Sequence, residues 1–254
     1  MKAIKMTLAA LMAVFAITTA SAQSAEAGAK YNEAAAKYNA KDFAAALPLL
    51  QEAVNIALDA DDVATAQNAQ KLIPQANFQQ GLALAKAQKL EEAIPFLEAA
   101  METGELYNVA AAARNAKTMI SQVYTMLGGQ AFNNKDYAKA AEVFAKGYAA
   151  NKRNTDLAML LAESYFKQDL YNDGMKICSE VMALPNSPLF EKGKAEAKQK
   201  MNLYTNNKIA ALQQANDFDG IIAMAESIAD EALKQKVLVQ AYFLKKDYDK
   251  VIEI

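Results

Sequence analysis

Residues able to do chemistry are few in this chain, and their spacing groups them poorly. There is no histidine, no tryptophan and one cysteine, Cys178. The lack of histidine removes the commonest general base and the commonest metal ligand. A single thiol can build neither an intrachain disulfide nor a cysteine-based zinc site. The carboxylates that do cluster, Asp61-Asp62 and Glu91-Glu92, are neighbours in sequence. Helix residues at i and i+1 do not face each other, so these are poor acid/base pairs and read as solvated helix starts. Two-carboxylate hydrolysis needs no histidine, but nothing marks such a pair here. Met159, Met175 and Met182 read as fillers of core gaps rather than metal ligands. No cofactor and no metal are expected.

The elements that would position any site must be helical. Over 254 residues there are 9 glycines and 5 prolines, while alanine makes up about a fifth of the chain, far above ordinary usage. Alanine is the best helix former, so the composition predicts an all-α protein. With 27 basic against 29 acidic residues and a pI near 5.4, the chain lacks the basic excess of a nucleic-acid binder.

The N-terminus reads as an address. Lys2 and Lys5 precede an apolar stretch from Met6 to Thr19, and Ala20-Ser21-Ala22 follows as a small-x-small site before Gln23. This is the pattern of a secretory signal peptide, with cleavage expected after Ala22. A run of about 14 residues is too short to span about 30 Å of hydrocarbon. The expected organisation is a signal peptide over 1–22 and a mature chain over 23–254, net charge −4 once Lys2 and Lys5 are removed. The mature chain is expected to be periplasmic or secreted, with no membrane span.

A short signature recurs through the rest. It reads Lys41-Asp42-Phe43-Ala44-Ala45-Ala46, then Lys135-Asp136-Tyr137-Ala138-Lys139-Ala140, Asn216-Asp217-Phe218-Asp219-Gly220-Ile221 and Lys246-Asp247-Tyr248-Asp249-Lys250-Val251. Weaker copies are Gln88-Lys89-Leu90-Glu91-Glu92-Ala93 and Asp169-Leu170-Tyr171-Asn172-Asp173-Gly174. The Asp can cap a helix by accepting from a free backbone N–H. The small residue six places into the signature permits close helix approach, and apolar residues then follow at helical spacing: Leu49, Leu50, Ala53 and Ala57 in the first copy. Pro48 and Pro95 are expected early in second helices, where a missing N–H is tolerated best. The small or apolar residue recurs at 46, 93, 140, 174, 221 and 251, in steps of 47, 47, 34, 47 and 30.

This unit resembles the tetratricopeptide repeat, a helix–turn–helix of 34 residues. Gly81 and Gly128 match the family's first-helix glycine, Tyr165 and Tyr242 its tyrosine, Ala46, Ala93 and Ala140 its central alanine, and Phe144 its second-helix aromatic. The family's tryptophan is absent, and of its closing proline only Pro185 comes near. The resemblance implies an α-solenoid of antiparallel helix hairpins over 23–254, about six of them, starting near 27, 74, 105, 155, 188 and 232, some with extended first helices. A step of 47 inserts nearly four helical turns. In the second copy Pro74 is expected to start the first helix, leaving Asp62–Ile73 as a separate one. In the third the helix is expected to be continuous, with Gly128-Gly129 as its weak point. The last hairpin is incomplete, with a second helix opening at Tyr248. Val251-Ile252-Glu253-Ile254 is not the polar cap that repeat arrays need. A fragment of a longer protein, a frayed end or an end covered by a partner each fit that observation.

In the resembled family certain first-helix positions face a concave groove. Carried onto this chain they are Tyr31, Tyr38, Asn39, Phe78, Lys86, Phe132, Asn133, Phe166, Lys167, Gln213 and Phe243. The implied function is non-catalytic: a scaffold or adaptor of the bacterial cell envelope that holds a protein or peptide, with aromatics for contact area and amides for backbone hydrogen bonds. The lysine/asparagine/arginine set with which some members hold a terminal carboxylate is absent, since Tyr31 and Ala35 stand at two of its places. A structural, self-associating repeat protein is the alternative reading. A remote one comes from Glu163-Ser164-Tyr165-Phe166, which resembles the Glu-Ser-x-Phe of lytic transglycosylases and would make Glu163 a peptidoglycan-cleaving acid. Those enzymes' Gly-Leu-Met-Gln block and a tryptophan platform for sugar are missing. Cys178 stands where other copies have Leu50, Leu97 and Phe144, and reads as a small buried hydrophobe.

Overall fold

The computed structural model describes residues 2–226, 228 and 231–254, with side chains from residue 21 onward. The leader expectation falls largely on residues whose side chains lie outside that set. Among the described residues the fold is all-α: twelve helices, no strand, arranged as consecutive antiparallel pairs. They are α1 (Lys2–Asn39), α2 (Phe43–Asp59), α3 (Val63–Lys86), α4 (Leu90–Leu106), α5 (Ala110–Asn133), α6 (Tyr137–Ala150), α7 (Thr155–Phe166), α8 (Tyr171–Met182), α9 (Pro188–Gln214), α10 (Phe218–Ala225), α11 (Glu231–Lys245) and α12 (Tyr248–Glu253). The chain divides into two compact units, Met1–Leu157 and Ala158–Ile254.

One turn joins most of these helices. At Lys41, Asp61, Gln88, Asn108, Lys135, Asp169, Asn216 and Lys246 the backbone is left-handed, with φ between 56° and 64°. In the α5–α6 turn Asp136 N–H donates to Ala131 O at 3.0 Å and Lys135 N–H to Phe132 O at 2.9 Å. These two bonds are a Schellman closure, which satisfies the last carbonyls of the outgoing helix. Asp136 then caps the incoming helix, accepting from Lys139 N–H at 3.0 Å. Asp42, Asp62, Asp217 and Asp247 cap in the same way. The recurring Lys-Asp or Asn-Asp pair is thus both stop and start signal. None of the eight left-handed residues is glycine, although left-handed backbone costs other residues roughly 1–2 kcal/mol.

The first unit is regular. Helices α3 and α5 both have 24 residues, and α2 and α4 both have 17. Extra turns in both helices of the pair account for the 47-residue step. Helix α3 runs unbroken through the buried Pro74, so the expected split at 62–73 does not occur. Its neighbours α2 and α4 pack along it, and that burial outweighs a local proline cost of about 3 kcal/mol. The third copy's first helix is continuous through Gly128-Gly129, as expected. Pro48 and Pro95 lie deeper than the free N–H groups of the first turn, as the sixth residues of α2 and α4. The carbonyls they strand belong to the exposed residues Ala44 and Glu91, which are open to solvent.

Burial follows the repeat register. Ala46, Leu50, Ala53 and Ala57 in α2, and Ala93, Leu97 and Ala100 in α4, are fully buried. A Cβ on Gly81 would lie 2.7 Å from the Leu97 side chain, and one on Gly104 would lie 2.8 Å from Ala113 N. The second case is stricter because backbone cannot rotate away. Successive first helices α1, α3 and α5 touch one another, whereas the backbones of the second helices α2, α4 and α6 stay farther apart. The unit therefore bends with its first helices on the inner side.

The second unit lacks that regularity. Its helices run 12 residues in α8, 27 in α9, 8 in α10, 15 in α11 and 6 in α12. Ile209, Ile221, Met224, Ala225, Val237 and Ala241 form its apolar centre.

Candidate functional site

The eleven residues expected to line a groove fall into three registers relative to the turn that ends each first helix. Tyr31 and Phe78 sit eleven residues before the cap and are half-buried, packed on the apolar clusters around Leu50 and Leu97 respectively. Tyr38, Phe132, Phe166, Gln213 and Phe243 sit four before the cap. All the aromatics in this register meet an aromatic that opens the following helix. The pairs are Tyr38–Phe43 at 5.2 Å between ring centroids, Phe132–Tyr137 at 5.1 Å, Phe166–Tyr171 at 6.2 Å and Phe243–Tyr248 at 5.8 Å. Three of these are edge-to-face, a favoured aromatic geometry. They clamp the turn. Phe166 is only 6% exposed, whereas Phe243 is 58% exposed. Gln213 is half-buried on α9.

The third register lies three residues before the cap: Asn39, Lys86, Asn133 and Lys167, all exposed. The first three stand at the ends of α1, α3 and α5, helices that touch one another on the inner side of the first unit. Two amides and one ammonium, repeated at the same register, offer donors and acceptors to an extended chain. Lys167, just past the end of α7, is engaged instead by Glu163 one turn earlier, at 3.6 Å.

Glu163 anchors a dense polar cluster in the second unit. Lys200 Nζ donates to its Oε2 at 2.7 Å, and Tyr204 OH to its Oε1 at 2.6 Å. Lys200 and Tyr204 are one turn apart on α9, so one helix face supplies both donors. The Tyr204 ring stacks on Phe166 at 3.9 Å with planes 10° apart. Tyr171 OH pairs with the buried Thr205 Oγ1 at 2.8 Å. Burial alone raises the Glu163 carboxyl, but the bonds from Lys200 and Tyr204 outweigh it and hold the group below its ordinary value. Burial and then Glu163 push the Tyr204 phenol up. A general acid in sugar hydrolysis needs a raised carboxyl pKa. Glu163 is held in the opposite state.

Sequence reasoning missed Lys200, Tyr204 and Thr205. The usable signal was a Lys-x-x-x-Tyr spacing on α9, legible only once α9 was known to face Glu163. Cys178 is fully buried, and burial pushes its thiol up to about 12. Of the methionines read as core fillers, Met159 is buried, but Met175 and Met182 line an open cleft of about 350 Å³ with Met201. Among the described residues no group of histidine, cysteine and carboxylates could hold a metal, and no helix is long and apolar enough to cross a membrane.

Residues 131–196 match the tetratricopeptide repeat family. The matched segment runs from the end of α5 into α9 and contains the 34-residue step between Ala140 and Gly174, the family's own period. The copies before it carry extra helical turns that break that period. No curated protein matches the chain.

Proposed function

We propose that the chain is a non-catalytic scaffold or adaptor of the bacterial cell envelope, exported on a leader cut after Ala22. It would hold a protein or peptide segment against the first helices. Tetratricopeptide repeats generally serve protein–protein interaction, and stacked repeats present extended surfaces for it. The observation that carries the reading is the row Asn39, Lys86 and Asn133, exposed at one register on three touching helices. The test is a cross-linked pull-down from envelope extract with wild type beside an Asn39→Ala/Lys86→Ala/Asn133→Ala variant. A partner held by wild type and lost by the variant, with helicity unchanged, supports the reading. Only self-peptides, equally with both baits, overturn it. The leader is tested on the exported protein, whose N-terminal peptide should begin at Gln23; an intact Met1 peptide overturns that part.

The exposed Ile252 (84%), Phe243 (58%) and Ile254 (43%) favour self-association as the second reading. It predicts a concentration-dependent mass that Ile252→Ser/Ile254→Ser lowers.

A further inference from the structure

The second unit contains a cleft that neither the repeat register nor the proposed partner surface uses. It lies between α8 and α9 and is closed on one side by Ile228 and Leu233. Met175 and Met182, seven residues apart on α8, share one helix face, and Met201 of α9 completes the apolar wall. Ser179 and Asn202 contribute the polar edge, and the exposed Lys198 is the single charge among the described lining residues. Its volume of about 350 Å³ falls within the usual range for small-molecule sites, about 300–1,000 Å³. A mostly apolar lining with a few polar groups to one side is also typical of such sites.

We infer that this cleft binds a small anionic amphiphile of the fatty-acid type, its acyl chain against the three methionines and its carboxylate at Lys198. Three features select this occupant. The wall is thioether and aliphatic, with no aromatic face to stack a ring. Unbranched methionine side chains adapt to a flexible chain better than leucine or isoleucine would. Among the described lining residues the only charge is positive, so a carboxylate gains there where an ammonium would be repelled. The volume suits a medium-length chain and is too small for the i, i+3, i+4, i+7 anchors of an amphipathic helix. All of the lining residues lie within Ala158–Ile254, whereas Asn39, Lys86 and Asn133 lie in Met1–Leu157. The inference therefore stands or falls separately from the adaptor reading.

The experiment is methyl NMR on the full chain labelled at methionine, with each cleft methionine assigned by its own Met→Leu variant. Decanoate, added below its aggregation limit, should shift the Met175, Met182 and Met201 methyls with a Kd on the order of 100 µM. Ser179→Phe, which fills the cleft, should weaken binding at least tenfold. Lys198→Gln should weaken decanoate by about threefold to fivefold while leaving 1-decanol unchanged. Decanoate that leaves the three methyls unmoved, or binds Ser179→Phe as tightly as wild type, overturns the inference. An amphipathic peptide that moves these methyls where decanoate does not assigns the cleft to a protein partner, and overturns it too. The wild-type methyl shifts decide the matter even if Ser179→Phe fails to fold.

Discussion

The two units use the same turn and pack by different means. In Met1–Leu157 the helices of successive pairs have matched lengths, and alanine and glycine bring them close: Gly81 faces Leu97, Gly104 faces the Ala113 backbone, and Gly128 faces Phe144. In Ala158–Ile254 the lengths vary, and although Gly174 still faces Phe166, Glu163, Lys200, Tyr204 and Thr205 join the helices through a polar network. Clefts occur in both units: one of about 440 Å³ bordered by Ile94, Tyr124 and Val143 in the first, and the methionine-walled one in the second. What sets the second unit apart is its dependence on every hydrogen bond in the network.

The largest expected effect tests the close packing. Gly104→Leu should destabilise the protein by about 3 kcal/mol, because Ala113 N–H and Cα cannot move aside without shifting α5. Urea unfolding followed by helicity measures it. Cys178 separates the units, since it is the only thiol, is fully buried and is held mostly protonated. Its labelling by a disulfide reagent reports opening of the second unit alone. If Gly104→Leu speeds that labelling as much as it lowers helicity, the units unfold together and differ in packing alone.

Next comes the polar network. Glu163→Gln should cost about 1–3 kcal/mol, since Lys200 and Tyr204 lose a charged acceptor. The same group sets a pH dependence. Its folded pKa lies below its unfolded value, so its stabilisation is present above the ordinary carboxylate range and fades as pH falls through the lowered folded value. The unfolding free energy in urea, followed by helicity, should fall on acidification in wild type and fall less in Glu163→Gln. Equal acid sensitivity in both would remove the network from the account.

The turns give a smaller effect of opposite sign. Lys135→Gly should raise stability by about 0.5–1 kcal/mol, because glycine takes positive φ without steric cost. Asn216→Gly in the second unit should gain less, since asparagine already tolerates that region. Thermal unfolding of the two variants compares them directly. The smallest change is expected at Lys117→Ala: its 2.6 Å pair with Glu105 is exposed, and the loss should stay within about 0.5 kcal/mol.

Much of this was legible before the structure. The Lys-Asp and Asn-Asp pairs located four of the turns, because a local capping bond needs only neighbours in sequence. Pro74 misled, because its local cost is visible in sequence and the compensating burial against α2 and α4 is not. The expected groove residues divided for a similar reason. Helical spacing gives the register of Phe132 and Asn133, but only the fold shows that Phe132 spends its ring on Tyr137 while Asn133 stays exposed. Phe166→Ala, which looks from sequence like a binding-surface change, would remove the ring stacked on Tyr204 and read out as lost stability instead.

That the first helices of the first unit touch while the backbones of its second helices stay farther apart has a mechanical consequence. Such a stack is a leaf spring. Bending fans the outer helices apart or draws them together while the inner contacts act as pivots, so the angle between successive hairpins can change while the spacing along Asn39, Lys86 and Asn133 is kept. A partner held along that row would meet a ruler that flexes without changing its graduations.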